Sequence, residues 1–388
     1  MASAGLVRFK KYGLLMIVTM VVIYGFIRIY AGNLDFKLTV PSKLPKHYSF
    51  ITTTQLLHSN FHRGPGYFKT CKPQSDVVFL KVHKAGSTTV MNILLRYGLY
   101  HKLVFVLPKN SNYINRQSEL DVNRILPPPK GKRYNILCNH SVYNRSVFHN
   151  LFPPGTFYLA IIRQPFEQFK SAFNYYGVTR IVMRQKNSST NPLRDYLQLR
   201  KKISIPKSMN FVNNRMAYDF GIAPENFTNN KAIKDYIEIL DKDFDLVMIM
   251  EYFDESLILL RRYLCWTMKD IVSVRLNARK SKIETSMDDF ERHKNITMAD
   301  YMIYEHFLGT FWKLVALEGS SFFKELSHYK QIRKIIEAFC KGESKDRKIV
   351  IPSSNWNMAF EISQIECKHI IIGEIAFLDI IRKLQYPI

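Results

Sequence analysis

Residues 77–98 read VVFLKVHKAGSTTVMNILLRYG, and within them one periodicity gives way to another across a turn of Lys, His, Gly, Ser and Thr. Val77 to Val82 are β-branched or aromatic for most of their length and suit a buried strand of a parallel sheet. Val90, Ile93, Leu94 and Tyr97 then recur at helical spacing. The turn between them therefore opens a helix, where unpaired N–H groups and the positive dipole end favour an anion. Lys81 and Lys84 supply positive charge there, Ala85 and Gly86 supply backbone, and Ser87, Thr88 and Thr89 supply hydroxyls. A phosphate ester is the ligand such a turn predicts.

The loop is not a nucleotide-triphosphatase loop, because its only glycine, Gly86, follows the lysine instead of preceding it. Its Lys-x-His-Lys turn resembles the 5′-phosphosulfate loop of sulfotransferases, which bind the donor 3′-phosphoadenosine-5′-phosphosulfate. A second segment, FYLAIIRQPFEQFKSAFNYYG at 157–177, again reads as strand, Arg-x-Pro turn and helix, with Ser171 eight residues after Arg163. In sulfotransferases an arginine and a serine in those places hold the donor's 3′-phosphate. A third, EYFDESLILLRRYLCWTMKDIVSVRLNAR at 251–279, together with Cys138-Asn139-His140, closely resembles the galactose 3-O-sulfotransferases, Golgi enzymes acting on terminal galactose of glycolipids and glycoproteins. The resemblance runs in the same order over residues 70 to 315.

That resemblance implies a sulfotransferase-type, P-loop-like α/β fold with a central parallel sheet flanked by helices. It implies 3′-phosphoadenosine-5′-phosphosulfate as donor and a galactose-terminated glycolipid or glycoprotein as acceptor. Lys84 and the 81–89 loop are expected to hold the 5′-phosphate, and Arg163 and Ser171 the 3′-phosphate, with Arg279 as a further donor contact. Arg163 suits a bidentate contact that lysine would not reproduce. The acceptor hydroxyl must lose a proton, which a neutral histidine can take. His83, inside the loop, is the first choice as base, and His140 is its partner or an acceptor contact. Two departures stand out: Gly86 in a loop that usually reads His-Lys-Thr-Ala-Ser-Ser-Thr, and Gln164 where Arg-Asp-Pro is usual. Asp254 is expected to cap the helix that follows it, and Trp266 to lie in the core sooner than on a sugar. A sulfotransferase for another sugar, or a silent glycan-binding homologue, are the rival readings.

The N-terminus carries Arg8, Lys10 and Lys11, then an apolar run from Tyr12 that ends near Ala31. This predicts a signal anchor at 12–31 with a cytoplasmic tail at 1–11 and a luminal remainder, a type II arrangement in the Golgi membrane. Ile29-Tyr30-Ala31-Gly32 makes a poor cleavage site for a signal peptide. Residues 32–70, with scattered Pro and Gly, read as a stem, and 71–388 as the luminal enzyme domain. Sequons at Asn139, Asn144, Asn187, Asn226 and Asn295 agree with a luminal chain, Asn139 being the poorest candidate for a glycan because it abuts His140. Five cysteines allow two disulfides and one thiol, or an intermolecular bond, and a homodimer is a further expectation. No Cys/His cluster suggests a metal. The net charge of +24 is dispersed and lacks any nucleic-acid signature, which leaves a polyanionic donor and anionic surfaces as its electrostatic counterparts.

Strands are further expected at Val104–Leu107, Tyr134–Cys138, Phe157–Ile162 and Leu246–Met250, and a helix at Asp254–Leu264. Residues 185–230, rich in Asn, Ser, Lys and Pro, read as an insertion facing the acceptor or as an ordinary surface excursion.

Overall fold

Four short strands, buried on both faces, form the centre of the molecule. They are β1 (Val77–Leu80), β2 (Ile136–Leu137), β3 (Phe157–Ile162) and β4 (Leu246–Ile249). All pair in parallel in the order β2-β1-β3-β4. Runs of Val, Ile, Leu and Phe without alternation are what a sheet covered on both faces requires. The computed structural model describes residues 71–387 except 110, 116–117, 187–188, 207–210, 275–282 and 343–346. They lie in one compact unit, His62–Ile388. The anchor and stem expected at 12–70 fall outside the described residues. Among the described residues no helix is long and apolar enough to cross a membrane.

Helices cover the sheet. In chain order they are α1 (Ser87–Tyr100), α2 (Arg145–Leu151), α3 (Pro165–Tyr175), α4 (Val178–Gln185), α5 (Pro192–Leu199), α6 (Arg215–Asp219), α7 (Asn230–Asp243) and α8 (Phe253–Leu264). They continue as α9 (Met287–Ile296), α10 (Met298–Leu317), α11 (Ser320–Cys340), α12 (Gln364–Ile371) and α13 (Glu374–Gln385), with a two-stranded antiparallel hairpin of β5 (Lys348–Ile351) and β6 (Phe360–Ser363) before α12. The predicted α/β architecture with a parallel sheet is thus observed. The chain leaves β1 for the edge strand β2 and returns to the other side of β1 as β3, so the order reverses between β1 and β3. Ligands of open α/β sheets bind at such a reversal, beyond the carboxyl ends of the strands.

Three local expectations need correction. Val104–Leu107 is extended but makes a single parallel bridge, Phe105 to Ile136, instead of a full strand. Val106 N–H to Ile136 O and Ile136 N–H to Val104 O make that bridge, and it goes no further because the Val104 N–H turns to Asn135 Oδ1, while Gln385 Oε1 caps the outward Phe105 N–H. Asp254 is not the cap of α8, which Tyr252 precedes without a side-chain cap bond. Asp254 instead sits buried in the first turn as the ion-pair partner of Arg333. Residues 185–230 are not a bare excursion. From this segment α5 and Phe211 pack against Phe166, Phe169, Phe173 and α4 in a second apolar cluster.

Two disulfides, Cys71–Cys265 and Cys340–Cys367, tie the start of the described chain to the end of α8 and α11 to α12. Cys138 is a buried thiol whose pKa burial pushes up to about 12. Trp266 is buried, stacks on Tyr97 at 3.7 Å and donates Nε1–H to the Gln74 carbonyl, the expected core role. Within the third sequence motif, Arg261 and Arg262 pair with Glu325, and Arg262 also with Glu318, in the interior. Those charges of the motif serve packing.

Candidate active site

The four strand ends deliver one candidate residue each: Lys84 after β1, His140 after β2, Arg163 after β3 and Glu251 after β4. The loop after β1 is tightly formed. Lys84 and Gly86 both have positive φ, 60° and 78°, and Gly86 is the N-cap of α1. The left-handed turn favours glycine at Gly86, where a Cβ would also press on the flexible Met250 side chain. Ser87 is buried and donates its hydroxyl hydrogen to the Val82 carbonyl at 2.8 Å, which fixes the loop. Thr88 is exposed and Thr89 half-buried, so the donors the loop presents outward are these hydroxyls and the backbone at the start of α1. Ala85 is buried beneath them.

Lys84 is half-buried, with Nζ 3.7 Å from the centre of the Tyr175 ring. Burial lowers its pKa, and the positive charge of Arg163 lowers it further. Arg163 is half-buried, and its guanidinium lies 3.6 Å from the Glu167 carboxylate one turn along α3. Two partly desolvated cations thus bear on one another from adjacent strand ends, an arrangement that an anion between them relieves. Gln164 accepts a hydrogen bond from the Glu167 N–H at 2.8 Å and caps α3. It keeps the capping role an aspartate would have there, without the charge. Ser171 is half-buried two turns into α3. Arg279 lies outside the described residues.

Lys81 points elsewhere: its Nζ is buried and pairs with Glu374 at the start of α13, 2.5 Å away, and Glu374 also accepts from Asn112. Its carbonyl does face the site, accepting from His140 Nδ1 at 2.8 Å.

The two histidines expected to compete for the role of base are stacked, ring centres 3.9 Å apart and planes 18° from parallel. His83 is buried and its Nδ1 lies 2.9 and 3.0 Å from the two oxygens of Asp219. The His83 N–H also donates to Asp219, at 2.9 Å. Arg215 Nη2 is 2.6 Å from Asp219 Oδ1 and 3.1 Å from His83 Nδ1. Phe211 covers the His83 ring at 4.9 Å, and Gln168 donates to the His83 carbonyl. A carbonyl only accepts, so His140 carries its hydrogen on Nδ1. Burial holds the His140 pKa well below its ordinary value, helped by His83 and Lys81, and it stays neutral.

Asp219, Arg215 and Phe211 were missed in the sequence because they lie in the polar insertion, far along the chain from the loop. The Arg215/Asp219 spacing of four residues, one turn of α6, was the available signal. Asn139 is buried with its side-chain amide donating to the Val106 carbonyl, which leaves no room for a glycan. Glu251 accepts from the Gln164 N–H and the Tyr304 hydroxyl, and burial raises its pKa. Among the described residues no group of His, Cys, Asp and Glu has the spacing to hold a metal.

A family model described as galactose-3-O-sulfotransferase matches residues 12–351. The chain belongs to the galactose-3-O-sulfotransferase family. It is 31% identical over 275 residues to galactosylceramide sulfotransferase of Mus musculus, covering 70% of this chain and 65% of that one. It is 33% identical over 297 residues to galactose-3-O-sulfotransferase 3 of Bos taurus, covering 71% and 68%. With human galactose-3-O-sulfotransferase 2 it shares 33% identity over 253 residues, 63% of this chain and 62% of that one. The chain spans just under two thirds of the length of the galactosylceramide sulfotransferases it matches. The loop, the Arg163 turn and the His83/His140 stack all fall within the region matched to the family.

Proposed function

We propose that the protein transfers a sulfuryl group from 3′-phosphoadenosine-5′-phosphosulfate to the 3-hydroxyl of a terminal galactose on a glycolipid or glycoprotein, in the Golgi lumen as a type II membrane protein. The observation that carries this reading is the pair of partly desolvated cations, Lys84 and Arg163, brought together at the β1/β3 reversal of a galactose-3-O-sulfotransferase family member. They suit a donor with phosphates at both ends, Lys84 and the start of α1 taking the 5′-phosphate and Arg163 with Ser171 the 3′-phosphate. The sulfotransferase type of P-loop-like fold belongs to the same reading.

In the reaction the galactose oxygen attacks sulfur as the bond from sulfur to the 5′-phosphate oxygen breaks, releasing adenosine 3′,5′-bisphosphate. Positioning and charge neutralisation dominate such transfers. The hydroxyl proton goes to a histidine. His83 is favoured over His140 because a carboxylate stands behind His83 and only a carbonyl behind His140, and an imidazolium is stabilised by the charge. Because the rings are stacked, a positive charge on one opposes a positive charge on the other. His140 then orients the acceptor.

The test is to incubate the full-length protein in detergent with radiolabelled donor and a panel of galactosides, other hexosides and uronides, and to locate the sulfate. Label on the 3-hydroxyl of terminal galactose is the expected result. Label on another sugar or position would favour the rival sulfotransferase reading and sink this acceptor.

A further inference from the structure

Asp219 stands outside every motif that marked the site, yet it is fully buried against His83, and its position is fixed from its own helix and from two other segments. Arg215, one turn earlier on α6, lies 2.6 Å from its Oδ1, and the guanidinium packs over the Phe211 ring at 4.5 Å. Asp300, at the start of α10, accepts the Ala217 N–H at 2.7 Å and holds α6 from below. The Tyr143 N–H donates to the Asp219 carbonyl.

The polar atoms decide the protonation of this cluster. Oδ1 accepts from Arg215 and Oδ2 from the His83 N–H, and the guanidinium charge at 2.6 Å favours the carboxylate over the neutral acid. Burial pushes its pKa up, and Arg215 is the largest influence holding it down. His83 Nδ1 faces that carboxylate at 2.9 Å, and a lone pair there would meet oxygen lone pairs. Arg215 Nη2 carries two hydrogens, one given to Asp219 Oδ1 at 2.6 Å; its 3.1 Å approach to Nδ1 is the longest contact of the set, and the two Asp219 oxygens at 2.9 and 3.0 Å are the closer partners of Nδ1. The hydrogen therefore sits on Nδ1 and the basic lone pair on Nε2.

We propose that Asp219, kept ionised by Arg215, is the positioning residue of the reaction: it fixes His83 in the Nδ1–H tautomer and thereby assigns the transferred proton to His83 and not to the stacked His140. This rests on the reading of His83 as the base. The charged and titratable groups facing the pair are Arg215 on α6, Asp300 on α10 and His140 after β2, while the Lys81 charge acts on His140 from a distance.

Asp219→Asn is nearly isosteric and separates this role from a structural one. Its amide oxygen still accepts the His83 N–H or Arg215, while its NH₂ donates to Nδ1 and drives the hydrogen to Nε2. Turnover is expected to fall by about 10³- to 10⁴-fold, the size of the wrong-tautomer effect in Ser-His-Asp triads. The KM for donor and the affinity for adenosine 3′,5′-bisphosphate are expected to stay within about threefold, a change of under 1 kcal/mol by the tenfold-per-1.4 rule. Long-range ¹H–¹⁵N spectra of histidine-labelled protein should show His83 as Nδ1–H in the native chain and Nε2–H in the variant, read at the neutral pH where His140 gives a constant reference. Arg215→Lys, which keeps a charge beside Asp219, should lose much less turnover than Asp219→Asn. An unchanged tautomer in Asp219→Asn, or native turnover with the tautomer switched, overturns the proposal. If the native chain sulfates no galactoside, the function reading fails while the spectra still decide the tautomer.

Discussion

At the scale of single residues, the site is a matter of which charges stand opposite which. Lys84 and Arg163 come from adjacent parallel strands and oppose one another through burial and like charge. Removing either should cost the charge-assisted contacts to one donor phosphate, about 1.5–3 kcal/mol or roughly tenfold to a hundredfold in affinity. Lys84→Ala and Arg163→Ala are therefore expected to weaken adenosine 3′,5′-bisphosphate binding by that factor in calorimetry, with unchanged melting temperature. Arg163→Lys should be nearly as damaging as Arg163→Ala, because a point charge lacks the planar fork. Native affinity in both alanine variants would remove the donor from this loop. The places of Lys84, Arg163 and His83 were legible because each sits at a strand-to-helix turn whose periodicity change is local, whereas Ser87, expected to offer its hydroxyl to a phosphate, turns it to the Val82 carbonyl. Lys81 was not: its ammonium reaches Glu374, nearly three hundred residues on, and a pairing so far along the chain leaves no local pattern.

At the scale of elements, the short helix α6 carries the partners of His83 while being held from α10 by Asp300. Burial, the largest influence on Asp300, raises its pKa from the usual 3.8 to about 7. The folded state therefore keeps a proton between about pH 4 and pH 7 that the unfolded chain has lost, and stability falls as pH rises through that window. Asp300→Asn removes this titration. The expected outcome is that the native melting temperature falls, relative to that of Asp300→Asn, from pH 4 to pH 7 and then runs parallel. Curves parallel throughout would contradict it. The strand and helix ends that the sequence located best, β3 and α8, are those with continuous apolar runs. Val104–Leu107 failed as a strand because the Asn135 side chain takes the Val104 N–H that would extend its ladder, and the insertion at 185–230 hid α5 and α6 behind polar composition. Its aromatic anchors, Phe211 above all, became visible only when folded against α3.

At the scale of the whole molecule, the two disulfides suit the oxidising lumen proposed for this chain. Asn295 is exposed and Asn139 buried, so glycosidase treatment of protein from secretory cells should lower its apparent mass, and Asn139→Gln should leave that shift unchanged while Asn295→Gln reduces it. No shift in the native chain would count against the luminal placement. The most direct measurement compares donor-product affinity with single-turnover rate in His83→Ala, His140→Ala and Lys84→Ala of the full-length protein. His83→Ala should bind adenosine 3′,5′-bisphosphate as the native chain does yet lose turnover, Lys84→Ala should lose both, and His140→Ala should raise the acceptor requirement while keeping part of the rate. Normal turnover in His83→Ala together with a dead His140→Ala that binds donor product normally would place the proton on the other ring and contradict the account.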